Sequence, residues 1–520
     1  MIEKWKSLKH NGPVFPPEYV YSEYKIKVNK KIVVLSPEAE EIAYLWASKS
    51  ETEYIKDEVF QKNFWKDFSE VLPPELKKTN FPSDWDFSLM YKEILKKKEN
   101  KLSKKEKKAL KKQKEEIKET FGYAEIDGKK MELGNYIIEP IGLFMGRGQH
   151  PKRGSVKAKI QPEDIEINIG KNDTVPSPPT GHKWGKISTK PGGLWTALWI
   201  EKVTGKPKRI MFSRSSAIVQ GCEEKKFNKA KKLAKNMQKV NDYINQNLTA
   251  KNKEKKMIAT VCRLIATLAI RVGDEKDKDE ADTVGASTLR AEHVKIDGNK
   301  IILDFLGKDS IPYHSETEFN DDMISNMKDY VKGKKEGERL FPLVTSIEVR
   351  DFLSKVQPKL TAKVFRTATA SMLLSNELKN DVYTDMSEEQ KVHRFIDANL
   401  IVAKKLNHQS AVSKTFSTSM EKLNEKIKKV TKKLEDEKDE KKQEKLNARM
   451  EKITKKIELK EKTKGIALGT SKTNYIDPRI VISWAKTNNV DISKLLTEAL
   501  IKKFSWAKSC EEDFYLHYGE

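Results

Sequence analysis

The apolar positions between residues 415 and 464 keep a heptad rhythm. Met420, Leu423, Ile427, Val430 and Leu434 fall 3, 4, 3 and 4 residues apart, and Leu446, Met450, Ile453 and Ile457 repeat 4, 3 and 4. The stretch 435–442 between them holds no apolar residue. Two seams around a polar break predict an antiparallel helical hairpin. Each seam runs for only about two heptads, which favours a hairpin over a dimerising coiled coil. Its dense charge predicts that it projects from the body of the protein.

Helical periods also run over 226–247 and 254–270. In the second, Met257, Val261, Leu264, Ile265 and Leu268 form one apolar stripe, with Gly273 as the expected stop and Arg271 at the helix end. A third helix begins at Thr361 and continues to Leu374, with Lys363 and Arg366 sharing a face. Residues 94–119 read as a solvated basic helix, with a capping box at Ser103 and Glu106. Phe60, Phe64, Trp65 and Phe68 have the spacing of a core-facing helix. Strands are expected at 25–28 and 31–35 around an Asn29-Lys30 turn, and at 300–305 and 310–313 around a tip bearing Lys308. Two more are expected at 194–200 and 209–212, and Ser36-Pro37 opens a helix. Near the C-terminus, Asp477-Pro478 is a helix start followed by Ile480, Val481, Ile482 and Trp484. Tyr475 therefore reads as a loop residue just ahead of that helix.

Composition narrows the class. At 520 residues the chain is too long for one ordinary domain, and residues 1 to 216 read as a mixed α/β module. Lys and Arg outnumber Asp and Glu by 101 to 77, a net charge of +24. That excess points to a polyanionic partner, nucleic acid first. Cys222, Cys262 and Cys510 are isolated, which argues against a disulfide framework or a cysteine zinc site. No opening segment reads as a signal peptide, and no apolar run is long enough to span a bilayer.

Candidate chemistry sits at a few polar positions. The loop 142–154 combines Gly146, Gly148 and Gly154 with Arg147, His150, Lys152 and Arg153, which suits close backbone approach and phosphate contact. Arg271, at the end of an apolar helix, needs a partner, either a carboxylate such as Glu275 or a phosphate. Lys308, Arg366, His408 and Tyr475 each have an ordinary structural reading when taken alone. Together with Arg271 they suit phosphoryl transfer without a metal. A tyrosine oxygen attacks a phosphate, two guanidiniums and an imidazole hold the charge, and a lysine protonates the leaving oxygen. Neither HExxH nor GxxxxGK[ST] occurs, so no metal or nucleotide cofactor is expected.

Five blocks then stand in a telling order: Gly146-Arg147-Gly148-Gln149-His150-Pro151-Lys152, Ala281-Asp282-Thr283-Val284-Gly285, Asp304-Phe305-Leu306-Gly307-Lys308-Asp309-Ser310-Ile311, Leu360-Thr361-Ala362-Lys363-Val364-Phe365-Arg366-Thr367 and Asn474-Tyr475-Ile476-Asp477-Pro478-Arg479. Over essentially its whole length the chain resembles the eukaryotic-type (type IB) DNA topoisomerase I family. The resemblance implies that Tyr475 forms a 3′-phosphotyrosyl link, that Arg271, Arg366 and His408 stabilise the transition state, and that Lys308 is the general acid. It implies DNA contacts for Arg147, His150, Lys152, Thr283, Asp309, Lys363 and Asn474, with Arg147, Asp309 and Asn474 at the site of camptothecin-type poisons. The implied architecture is a multidomain α+β DNA clamp. It comprises a mixed α/β cap module at 1–216, a mainly helical catalytic subdomain at 217–414 and a helical-hairpin linker at 415–464. A small helical C-terminal domain at 465–520 carries the tyrosine. The implied protein is a monomer around double-stranded DNA with no membrane association. Its expected place is nuclear if the gene is cellular, and the replication compartment or virion if viral.

The chain departs from the family at Met145, where a first loop arginine is usual. It departs again at Asp274, where asparagine is commoner, and at Ala368-Thr369, where Tyr-Asn is common. A tyrosine recombinase would use similar groups, but usually has His-x-x-Arg where this chain has Lys363-x-x-Arg366. A non-catalytic architectural DNA-binding protein would need Tyr475 for folding alone.

Overall fold

The computed structural model describes residues 5–99, 102–274, 280–380, 382–413 and 415–520. The protein is mixed α/β and divides into two compact units, one of residues 1–222 with 276–283 and one of residues 223–275 with 284–520. No helix among the described residues is long and apolar enough to cross a membrane.

The first unit holds two cores. One forms around the Glu58–Glu70 helix, which buries Phe60, Phe64 and Phe68 while Trp65 stacks on Phe81. The Lys25–Val28 and Lys31–Val34 strands pair antiparallel, and Asn29 and Lys30 between them adopt positive φ, as a tight hairpin requires. The other core backs a sheet in which Trp195–Ile200 lies between Glu166–Asn168 and Pro207–Met211. The basic stretch read as one helix over 94–119 is two. Ser88–Glu99 ends its apolar face at buried Ile94, and Lys104–Phe121 starts afresh at the Ser103 capping box.

In the second unit the Lys253–Leu268 helix is the spine of the core. An antiparallel sheet of Val294–Asp297, Lys300–Gly307 and Ile311–Glu318 packs into the same core. The helical period at 226–247 is broken at Asn236 into Ala217–Lys235 and Met237–Leu248. The heptad stretch forms the helices Phe416–Asp436 and Glu440–Lys462, with Leu423 and Val430 buried between them. Their root is closed by backbone bonds from Ser410 N to Gly465 O (2.9 Å) and from Ala467 N to His408 O (2.9 Å). The chain thus leaves and re-enters the body at one point.

The spine helix does not stop at Gly273. Ala269 takes the left-handed cap (φ 53°), and Arg271 lies beyond it on an irregular segment. Gly273 serves a different purpose. It meets Gly285 so closely that a Cβ on Gly285 would lie 2.4 Å from Gly273 N and 2.8 Å from Arg271 O. Ala286 N and Ser287 N donate to the carbonyls of Arg271 and Val272 across this contact (2.9 and 2.7 Å). Gly285→Ala should therefore push the Arg271 segment outward, at a cost of about 1–3 kcal/mol. Urea unfolding measures this, and an unchanged midpoint would remove the close approach as a constraint.

Candidate active site

Tyr475 is not on an open loop. It caps the C-terminus of a short helix, Leu468–Asn474, and is 4% exposed within a core shared with Phe395, Trp484 and Tyr515. Asp477 does cap the following helix, Pro478–Thr487, accepting from Arg479 N (3.0 Å), and it pairs with the Arg479 guanidinium (2.7 Å). Two bonds to Ser371 Oγ brace the turn between these helices. Ser371 donates to Tyr475 O (3.3 Å) and accepts from Asp477 N (2.9 Å).

Three of the other residues singled out in the sequence surround the tyrosine ring. Arg271 Nη2 donates to the Tyr475 hydroxyl at 3.0 Å. The Arg366 guanidinium lies 4.9 Å from the ring centroid, and the His408 ring stacks on it at 5.2 Å. Arg366 is buried and anchored by two carbonyls, Ala269 O (2.6 Å) and Leu406 O (3.0 Å). Arg271, Lys308, Arg366 and His408 line a cavity of about 170 Å³ together with Asp309, Asn407 and Gln409. Tyr475 is not among the lining residues and joins this group through Arg271. Lys308 is exposed at the hairpin tip, where Asp309 and Ser310 take positive φ. Asn407 and Gln409 bond to Pro312 O (2.8 and 3.2 Å), tying the histidine loop to that hairpin.

The electrostatics favour an oxyanion. Burial pushes the Tyr475 hydroxyl up, but the Arg366 and Arg271 charges and hydrogen bonds outweigh it and hold it below the ordinary tyrosine value. Burial, then Arg366 and Arg271, lower the His408 pKa to about 4, so the ring is neutral at pH 7. His408 Nε2 and Arg366 Nε are buried with no hydrogen-bond partner among the described residues. A buried guanidinium N–H without a partner, beside a cavity walled by cations, fits an anionic group.

Not every expected residue is part of this group. Among the described residues Arg271 pairs with the tyrosine hydroxyl and with no carboxylate. Asp274 is exposed, and Glu275 lies outside the described residues. Lys363 is exposed while Arg366 is buried, so the two do not share one environment. Asn474, also exposed, ends the short helix and bonds back to Thr470 O (3.3 Å). Arg147, His150, Lys152 and Thr283 belong to the first unit. There Arg153, read as a phosphate donor, is buried against Asp57 (2.8 Å) and fixes the loop through His150 O. Met145 packs on the aromatic core of that unit, which accounts for an apolar residue there.

The sequence reading missed several supports of Tyr475. Lys503 is buried, and its Nζ donates to Thr473 O (2.7 Å) and pairs with Glu223 (3.1 Å). Lys226 pairs with the same carboxylate (2.7 Å) and reaches Asn474 O (3.3 Å). Two ammonium groups thus sit at the C-terminus of the helix that leads into Tyr475, where the dipole favours cations. Glu223 and Lys226 are an i,i+3 pair on one helix, but Lys503 and the Asn474 carbonyl they meet lie far away in the chain, so no local pattern marks the cluster.

Three family models cover the chain in order. Residues 3–212 match the eukaryotic DNA topoisomerase I DNA-binding fragment, 215–441 its catalytic core and 447–516 the C-terminal topoisomerase domain. DNA topoisomerase 1 of Homo sapiens is 36% identical over 98% of this chain, and the match covers 72% of the human protein. The chain belongs to the eukaryotic DNA topoisomerase I family. DNA topoisomerase 1 of Drosophila melanogaster is 38% identical over 98% of the chain, and DNA topoisomerase 1 alpha of Arabidopsis thaliana 37% over 98%. The chain spans 55% and 59% of those two relatives. The motif blocks quoted above therefore mark true family membership, and the Arg271–Tyr475 cluster falls within the regions matched by the catalytic-core and C-terminal models.

Proposed function

We propose that this chain is a type IB DNA topoisomerase, acting on double-stranded DNA as a monomeric clamp. The observation that carries the reading is the Arg271–Tyr475 hydroxyl bond, made beside a cavity walled by Lys308, Arg366 and His408. The Tyr475 oxygen attacks a backbone phosphorus, and its proton passes to water. The bond from phosphorus to the 5′ oxygen breaks as a 3′-phosphotyrosyl bond forms, and Lys308 protonates the departing oxygen. Arg271, Arg366 and His408 stabilise the charge on the nonbridging oxygens. Because the covalent link conserves the phosphodiester energy, the strand rotates and is resealed by the reverse step without ATP.

In this reading residues 1–216 are the cap, 217–414 the catalytic subdomain, 415–464 a linker and 465–520 the domain that delivers the nucleophile. Arg147, His150, Lys152, Thr283, Asp309, Lys363 and Asn474 contact DNA. A cellular copy works in the nucleus, a viral one in the replication compartment or virion. Family membership weighs against a recombinase or a purely architectural protein.

Purified protein in EDTA, without nucleotide and at low salt, should relax both positively and negatively supercoiled plasmid. Plasmid left supercoiled under these conditions would overturn the proposal.

A further inference from the structure

We infer that Ser471 is a positioning residue that sets the tautomer of His408, its hydroxyl donating to Nδ1 so that the ring proton resides on Nε2. The inference rests on the phosphoryl-transfer reading of this site and assigns it one more residue.

Ser471 Oγ lies 2.9 Å from His408 Nδ1, and both residues are buried. The opposite ring nitrogen, Nε2, is buried and has no hydrogen-bond partner among the described residues, although His408 lines the cavity. The ring has little freedom to rearrange. Its backbone is pinned through His408 N to Ala403 O and Ala467 N to His408 O (2.9 Å each), and its face stacks on Tyr475.

A neutral imidazole has one donor and one acceptor, and the bond at one nitrogen decides the role of the other. Burial, reinforced by the charges of Arg366 and Arg271, keeps this ring neutral. A bare lone pair on Nε2 would oppose an anionic oxygen in the cavity, whereas an N–H there would bind it. The serine hydroxyl can donate to Nδ1 and so favour the useful tautomer. Ser471 also holds the nucleophile, because its carbonyl accepts from Tyr475 N and Ile476 N (2.9 Å each). One residue therefore couples the orientation of the histidine to the placement of the tyrosine, through its side chain and its backbone respectively.

Nitrogen-15 NMR of histidine-labelled wild-type protein tests the assignment without any variant. An Nε2–H tautomer for His408, with Nδ1 at a hydrogen-bonded acceptor shift, is expected, and an Nδ1–H tautomer overturns the proposal. Ser471→Ala keeps the backbone bonds to the tyrosine. It should lower the rate of SDS-trapped plasmid cleavage about tenfold to a hundredfold, as loss of an orienting partner typically does, with DNA affinity unchanged. In a His408→Gln background the same change should have no further effect. A full additional loss there would show that Ser471 acts independently of the ring and would overturn the assignment. The NMR result does not depend on turnover, so a wild-type chain that fails to relax DNA sinks the reaction while the tautomer still decides this point.

Discussion

Tyr475→Phe should abolish plasmid relaxation and SDS-trapped covalent complex, a loss of at least about four orders of magnitude given what removing a nucleophile costs elsewhere. The substitution removes one oxygen and keeps the ring. The ring makes the apolar contacts of the surrounding core, the stack on His408 and the face beneath Arg366. The fold should therefore stay close to wild type, with only the Arg271 bond lost. Salt-sensitive DNA binding should persist, because it depends on cationic side chains and not on this hydroxyl. Relaxation assays, denaturing gels and binding isotherms in parallel separate these effects. Full activity in the variant would remove Tyr475 from the chemistry.

Arg366 should behave differently, because its guanidinium has two tasks. It satisfies the carbonyls of Ala269 and Leu406, which terminate the spine helix and lead into the histidine loop, and it places positive charge over the tyrosine ring. Arg366→Ala leaves both carbonyls without their donor in a buried site, a destabilisation of roughly 2–5 kcal/mol. Arg366→Lys keeps the charge but lacks the planar fork, so it cannot serve both carbonyls and the tyrosine. It should lose roughly 100- to 1,000-fold in cleavage, the cost of one preorganised donor, with a smaller loss of stability. Arg271→Lys is the control. Among the described residues its side chain makes no bond to a carbonyl, so cleavage should fall while the unfolding midpoint stays put. Equal destabilisation by both lysine variants would show that Arg366 has no special structural task.

Local signals were readable where local physics dominates. The heptad seams at 415–464, the Asn29-Lys30 turn and the Ser103 and Asp477 caps depend on neighbouring residues, and each forms as expected. Gly273 was misread because its conformational freedom serves a close approach to Gly285, while Ala269 accepted the strained cap. The break at Asn236 follows no Gly or Pro. The short helix before Tyr475 was missed because Gly469, Thr470, Ser471, Thr473 and Asn474 are poor helix formers. Lys503, Lys226 and His408 hold it from outside.

The sequence by itself determined the cast: a basic multidomain chain of the topoisomerase I family, a helical hairpin at 415–464, and the identities of Arg271, Lys308, Arg366, His408 and Tyr475. Only the tertiary structure decided their state. It buried the tyrosine, kept the histidine neutral, gave Arg366 its two carbonyls and joined Ser471 to the ring. Desolvation and hydrogen-bond partners arise between segments far apart in the chain, and no local pattern encodes which of them will meet. The hairpin root shows why the meeting is possible. Residues 408–410 and 465–467 bond directly, so the long excursion between His408 and Tyr475 adds no distance at the site.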